Sequence, residues 1–291
     1  MFKQEHRNQI ERFLGKGGLP FLRLTHISGF SVVVSEYGAH VVSWISPQES
    51  ELLFTSQAAA YEVGKPIRGG VPIIFPQFGK GALPQHGFAR VKPWKVVREQ
   101  MGSSDAVSVT LRLNSDEQSE SAWPHPFTVE LEIVLTEVLL MSLRVVNTGR
   151  ATFSFTSALH NYFRAQDISG VSIRGLHGVE YSDFLRERKT FMEAGDRLAI
   201  SGPVDRAYRD SPETIILESA LDERRYLITK EGFSDTVVWN PWDVGAKAIA
   251  DMTPEEYRAM ICVESGNILT PVVLEPGDVH SSAQILRVES M

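Results

Sequence analysis

The sequence predicts an all-β fold of antiparallel sheets, on three observations. From about residue 20 onward, short runs rich in β-branched and aromatic residues are separated by Gly, Pro, Asn and Asp. Within many of these runs polar and apolar residues alternate with the period of a strand. Neighbouring runs are joined by links short enough for hairpins, and only two segments carry helix signals. At 291 residues the chain could hold two domains, yet sandwiches and barrels of this size fold as one unit. With no linker and no internal repeat, one domain over 1–291 is the simpler expectation.

The first helix signal covers residues 3–14, where Ile10, Phe13 and Leu14 stand among charges and glycines follow at 15, 17 and 18; it predicts a helical N-terminal extension over 1–18. Strands are expected at 31–35, 41–45 and 51–55. The stretch 64–93 is punctuated throughout by Gly and Pro, so regular structure is hard to sustain there, and a long irregular loop inside a compact domain is often a binding loop. Alternating strands follow at 95–98, 107–113, 127–136 and 139–146, with a hairpin at Glu137-Val138 and a turn at Asn147-Thr-Gly149 into 152–158. Later strands are expected at 171–174, 188–191, 197–202, 213–218, 226–230, 235–239, 259–263, 271–274 and 282–288. Residues 251–257 carry the second helix signal, with Thr253 at an N-cap position, Pro254 at the first helical position and acidic residues in the first turn.

Composition excludes several classes. The formal net charge of -7 argues against nucleic acid as a partner, since phosphate-backbone binding relies on an excess or stripe of Lys and Arg. A local basic cluster, between Arg68 and Lys95, still suits one small anion. The single cysteine, Cys262, can form no intrachain disulfide and no Cys-rich zinc site. The first residues lack the apolar stretch of a secretory signal and no apolar run approaches a membrane span, so a cytoplasmic location and no membrane partner are expected. Phosphate-cradling loops, dinucleotide fingerprints, H-E-x-x-H and G-x-S-x-G are all absent from the sequence.

What remains is a set of polar residues beside strands. Arg68 is followed by two glycines, which leave the backbone free to bring a guanidinium to an anion; it also fits a solvated surface arginine. Gln85 and His86 can hydrogen-bond sugar hydroxyls, and Arg90 adds a second cation in the same loop, although such a loop can also be held by its own arginine–carbonyl bonds. His160 follows an apolar strand and suits a general acid, or a structural histidine satisfied by backbone. Four apolar residues run into Glu264, where desolvation raises a carboxyl pKa toward that of a useful base; a salt-bridged strand-end carboxylate is the alternative. Cys262 points to the same face as Glu264 by strand period and is assigned to the core. Asp205, in a turn over 201–208, could accept from hydroxyls or orient His160, or close an Asx turn; Tyr208 could face a sugar ring. The segment 239–242, Trp-Asn-Pro-Trp, is equally a corner or a sugar platform.

Taken together, Gly38-Ala-His-Val-Val-Ser-Trp44, Ile67-Arg-Gly-Gly-Val-Pro-Ile-Ile-Phe-Pro-Gln77, His86-Gly-Phe-Ala-Arg90, Leu159-His-Asn-Tyr162 and Cys262-Val-Glu-Ser-Gly266 resemble the glucose-6-phosphate 1-epimerases, the hexose-phosphate branch of the aldose 1-epimerase superfamily. The resemblance implies a large antiparallel β-sandwich of the galactose mutarotase type with a few short helices. It implies His160 and Glu264 as the catalytic pair, with Arg68, Gln85, Arg90 and Asp205 at substrate-binding positions and the arginines serving the phosphate; whether Gln85 or His86 reaches substrate stays open. The expected reaction opens and recloses the ring of a hexose 6-phosphate by acid-base catalysis, with no cofactor and no metal. The expected partner is the phosphosugar itself, and the chain is expected as a monomer or weak homodimer. An aldose 1-epimerase for unphosphorylated sugars shares the catalytic pair without needing two arginines, and a non-catalytic carbohydrate-binding sandwich needs neither.

Overall fold

The computed structural model describes residues 7–102 and 106–291. Its strands form three antiparallel sheets. Two of them, of nine and eight strands, dominate the fold. In the nine-stranded sheet the central hairpin, Phe127–Leu135 with Leu139–Asn147, shows how the sequence builds it. Phe127, Val129, Leu131, Ile133 and Leu135 are buried while the residues between them are half exposed, which is the one-sided burial expected of an antiparallel sheet facing a core. That core is shared with the eight-stranded sheet through Phe155, Phe163, Ile261 and Val263. The four-stranded sheet runs in chain order through Gln9–Leu14, Pro20–Thr25, Ser31–Ser35 and His40–Ile45.

The expected N-terminal helix is a correction. Residues 3–6 lie outside the described residues, and Gln9–Leu14 is an edge strand paired with Pro20–Thr25. The glycines taken as a helix stop form the hairpin loop, with Gly17 and Gly18 at positive φ of 68° and 70°. Phe13 stacks on Phe21 at 5.7 Å across the loop, a contact that a hairpin provides and an isolated helix does not. The expected strand at 51–55 is also absent as such. Glu51, Leu53 and Thr55 make single bridges to three different segments, and the Glu51 carboxylate accepts from the backbone of Trp44, Leu52 and Leu53. The turn expected at 201–208 contains a strand, Val204–Tyr208, because Val204, Ala207 and Tyr208 are buried against the sheet. The strands expected at 259–263 and 271–274 are parts of one long strand, Met260–Leu274. The second helix is a 3-10 helix, Pro254–Ala259, with the Thr253 cap completed by Glu256 as a capping box. Two short α-helices, Glu117–Ala122 and Trp242–Lys247, escaped the sequence reading. Among the described residues no helix is long and apolar enough to cross a membrane.

The long loop is irregular as expected, holding only the strand Ile73–Ile74 and the 3-10 turn Ala89–Val91 between residues 64 and 93. It is threaded through the protein and not laid over it: Val71, Ile73, Ile74 and Phe75 are fully buried. Its entry is held by backbone. Gly70 N–H donates to the Phe54 carbonyl at 2.7 Å and Val71 N–H to that of Val41 at 2.8 Å, while His40 Nε2–H donates to the Gly69 carbonyl at 2.7 Å. A Cβ on Gly69 would stand 2.4 Å from the Phe54 carbonyl oxygen at a φ of +108°. Gly69→Ala is therefore expected to lower stability in urea unfolding by about 1–3 kcal/mol, the usual cost of one strained backbone position.

Candidate functional site

Strand register brings the candidate residues together. The strand Phe153–Leu159 pairs with Met260–Leu274, ending at Leu159 opposite Ser265. Pairing with the same strand resumes at Tyr162 opposite Cys262. Both pairs obey one antiparallel register, so the two residues between them fall opposite known positions: His160 faces Glu264 and Asn161 faces Val263. Here the backbone ladder lapses, since His160 N–H donates to the Pro72 carbonyl at 3.1 Å and Asn161 N–H to that of Leu159 at 3.1 Å. In the gap, His160 Nε2 and Glu264 Oε1 lie 3.3 Å apart.

The same face continues across neighbouring strands. Cys262 pairs with Trp239, and Trp239 with Asp205, so Tyr162, Cys262, Trp239 and Asp205 form a row, with Glu264 two residues on from Cys262 and pointing the same way. The His160 ring stacks on Tyr162 at 4.7 Å and 9° between planes, and meets the rings of His86 and Trp239 nearly edge-on. Loop residues close the arrangement. Arg68 donates through Nε to Asp251 Oδ1 at 3.1 Å and through Nη1 to the Tyr162 hydroxyl at 3.0 Å. Arg90 donates through Nη2 to the Gln85 carbonyl at 2.8 Å.

Of the residues singled out from sequence, His160, Glu264, Arg68, His86, Arg90 and Asp205 meet in this region. Gln85 does not join them by its side chain: it is exposed, and it contributes the carbonyl that holds Arg90. The physical reason is the turn, in which His86 and Gly87 both have positive φ, 67° and 69°, and Gly87 N–H closes back on Pro84. The turn directs His86 inward, to 5.6 Å from His160. Tyr208 is fully buried with its hydroxyl donating to Glu193 at 2.8 Å, so it faces no sugar. Tyr162 and Asp251 were missed as site residues, and Trp239, which the sequence left equally a corner or a sugar platform, stands beside His160. Tyr162 was legible as the residue two beyond His160 on one strand face, whereas Asp251 meets Arg68 only through the tertiary fold.

Burial dominates the electrostatics. His160 is held well below the usual histidine range by burial, with His86, Arg90 and Arg68 adding repulsion, and His86 is lowered to about 3 by burial and then by Arg90 and Arg68. Burial pushes Glu264 well above the carboxylate range, and Asp205 pushes it further. Burial thus favours the uncharged imidazole and the protonated carboxyl in this pair. Among the described residues, His160 Nδ1 and Glu264 Oε2 are buried without a hydrogen-bond partner, a costly condition that marks where a ligand's oxygens and hydroxyls would bond. Arg90 is lowered to about 10 by burial, with repulsion from Arg68.

Comparison with solved structures places the fold among the mutarotase sandwiches. A crystal structure provisionally named a mutarotase, from Salmonella typhimurium, superposes with a TM-score of 0.89 at 27% identity, covering 97% of this chain and 94% of the other. A galactose mutarotase-like protein from Clostridium acetobutylicum shares the fold alone, with a TM-score of 0.78 at 15% identity over 98% of this chain and 99% of its own. Residues 20–287 match the family described as aldose 1-epimerase, and the chain belongs to that family: it is an enzyme that interconverts sugar anomers. A relative from Cenchrus ciliaris, provisionally named a glucose-6-phosphate 1-epimerase, is 38% identical over 251 residues, 83% of this chain and 76% of that protein.

Asp205 supplies a pH test of the site's electrostatics. Its pKa is raised to about 7, by burial first and by Asp183 second, with Arg188 offsetting part. A carboxyl with a raised folded-state pKa retains a proton that the unfolded chain has lost, so stability falls as pH rises from about 4 to about 7 and levels off above. Removing Asp205 also lowers the Glu264 pKa, which acts in the same direction. Asp205→Asn is expected to exceed the wild type in urea midpoint at pH 8, with the gap narrowing toward pH 5. An equal gap at both pH values contradicts the assignment.

Proposed function

We propose that this epimerase acts on a hexose 6-phosphate, glucose 6-phosphate foremost, with His160 and Glu264 transferring the protons and Arg68 and Arg90 receiving the phosphate. One observation carries the reading: a buried histidine–carboxyl pair lies beside two guanidinium groups, one of which, Arg90, has only a backbone carbonyl as its partner among the described residues. A largely desolvated cation without a carboxylate is costly, and an incoming anion relieves that cost. The name of the Cenchrus ciliaris relative supports the same substrate.

In the proposed reaction Glu264 removes the proton of the C1 hydroxyl as the bond from C1 to the ring oxygen breaks, and His160 delivers a proton to that oxygen. The open-chain aldehyde turns about its C1–C2 bond, and the C5 hydroxyl then attacks the other carbonyl face with the two roles reversed. Every atom that moves belongs to the sugar or to this pair. Glu264 as base and His160 as acid require the carboxylate–imidazolium form, whereas burial favours the neutral form. The two forms contain the same number of protons, and the 3.3 Å contact lets one proton convert them. A phosphate dianion beside Arg68 and Arg90 offsets the repulsion that adds to burial in holding His160 neutral, and so makes the acid form less costly. His86 and Asp205 would bond the sugar hydroxyls, and Trp239 would lie under the ring. A cytoplasmic enzyme acting as a monomer or weak dimer completes the proposal, supported by a lone buried thiol, Cys262, that needs no oxidising compartment.

Exchange NMR at anomeric equilibrium tests it. The protein is expected to accelerate α–β exchange of glucose 6-phosphate above the spontaneous rate, and His160→Ala and Glu264→Gln are each expected to lower kcat by about 100-fold or more. Arg90→Ala is expected to raise KM for glucose 6-phosphate while leaving exchange of free glucose nearly unchanged. Faster exchange of free galactose than of glucose 6-phosphate, unmoved by Arg68→Ala, contradicts the phosphate assignment.

A further inference from the structure

The gap in the ladder opposite Val263 and Glu264 is filled from the other side of the sheet. Asn161 lies between His160 and Tyr162, so by strand alternation its side chain leaves the site face and enters the interior. There its Nδ2 donates to the Val263 carbonyl at 2.9 Å and to Gln284 Oε1 at 3.0 Å, and its Oδ1 accepts from Gln284 Nε2 at 2.6 Å. Asn161 and Gln284 are both fully buried. Gln284 belongs to the strand Val279–Ser290 of the nine-stranded sheet, paired there with Lys230 and Met141. The two amides therefore form a reciprocal pair that crosses the sandwich directly beneath His160 and Glu264.

We infer that Asn161, backed by Gln284, is a positioning residue that fixes His160 against Glu264. The inference rests on the epimerase reading of that pair. The bond to Val263 stands where a backbone ladder bond is missing, and its two ends are each one residue from the pair: Asn161 follows His160 and Val263 precedes Glu264. Val263 and Glu264 are the fourth and fifth residues of a fifteen-residue strand paired on its other side with Asp235–Asn240, so Glu264 is held on a rigid element. His160 sits in the irregular link between two strands and has no such support from its own backbone, whose N–H is directed to the Pro72 carbonyl. Without the side-chain bond no hydrogen bond among the described residues ties the link to Val263, and only ring contacts and the Pro72 bond resist a shift of the imidazole by fractions of an ångström. Misplacement on the scale of 1 Å costs a reaction on the order of 100-fold. Gln284 satisfies the remaining oxygen and one N–H contact of Asn161, and so fixes the orientation of its amide.

The test uses the full chain carrying Asn161→Leu and Gln284→Leu together, which removes both amides and leaves neither one buried alone; Gln284→Leu by itself is the companion. Thermal unfolding and circular dichroism establish that each variant is folded. The expected result for the double variant is a kcat for glucose 6-phosphate exchange lowered by about 10–100-fold with KM within about threefold of wild type, and imidazole ¹⁵N resonances of His160 displaced from their wild-type positions. Gln284→Leu alone keeps the Val263 bond and is expected to lose less than the double variant. A folded double variant with wild-type kcat overturns the assignment, as do His160 resonances identical to wild type. If the wild-type protein gives no exchange enhancement, it is the epimerase reading that fails, and the His160 resonances still decide whether Asn161 positions the ring.

Discussion

Antiparallel register is the constraint on which the site depends. One long strand, Met260–Leu274, carries Glu264 near its start, and two consecutive strands pair with it on either side of a two-residue lapse. The lapse places His160 opposite Glu264 and frees its backbone from the ladder. A one-residue slip in register would move Glu264 to the other face of the sheet, beside Gln284 and away from the arginines. The hydrophobic pattern excludes that slip, because Val263 and Ile261 would then leave the shared core.

Burial then sets the chemistry available to the pair. A carboxyl and an imidazole sealed together lose their charges unless something compensates them, and the neighbouring arginines work against a charged His160. A dianionic ligand against the two arginines offsets that repulsion. In the proposed reaction the phosphate therefore has a second consequence beyond affinity, since its charge makes the imidazolium form of His160 less costly. A neutral sugar supplies no such bias, which gives a physical reason for two arginines in a site whose bond-making needs neither.

Much of this was legible in the sequence, for identifiable reasons. The alternating runs gave strands whose ends agree closely with the structure, as at 127–136 and 139–146, because one-sided burial leaves a period-two signature. The irregular loop was legible in its Gly and Pro content. The N-terminal segment was misread because Ile10, Phe13 and Leu14 satisfy a helix spacing, while the stacking of Phe13 on Phe21 that favours the hairpin is invisible without the partner strand. In the site, residue types made His160, Glu264, Arg68 and Arg90 candidates, each beside a plain structural alternative, and the family resemblance singled them out. Asp251 and Gln284 lie 183 and 123 residues from the side chains they bond, and no local pattern announces such partners. The choice between Gln85 and His86 depended on the positive φ of His86, which the sequence does not specify.

The most direct test of the central claim is a crystal structure with a sugar phosphate that cannot open its ring, 1,5-anhydroglucitol 6-phosphate. The account places the phosphate against Arg90 and Arg68, the ring oxygen within hydrogen-bonding distance of His160, and C1 facing the Glu264 carboxyl. A phosphate bound away from both arginines, or a ring whose oxygen and C1 lie out of reach of His160 and Glu264, would contradict it.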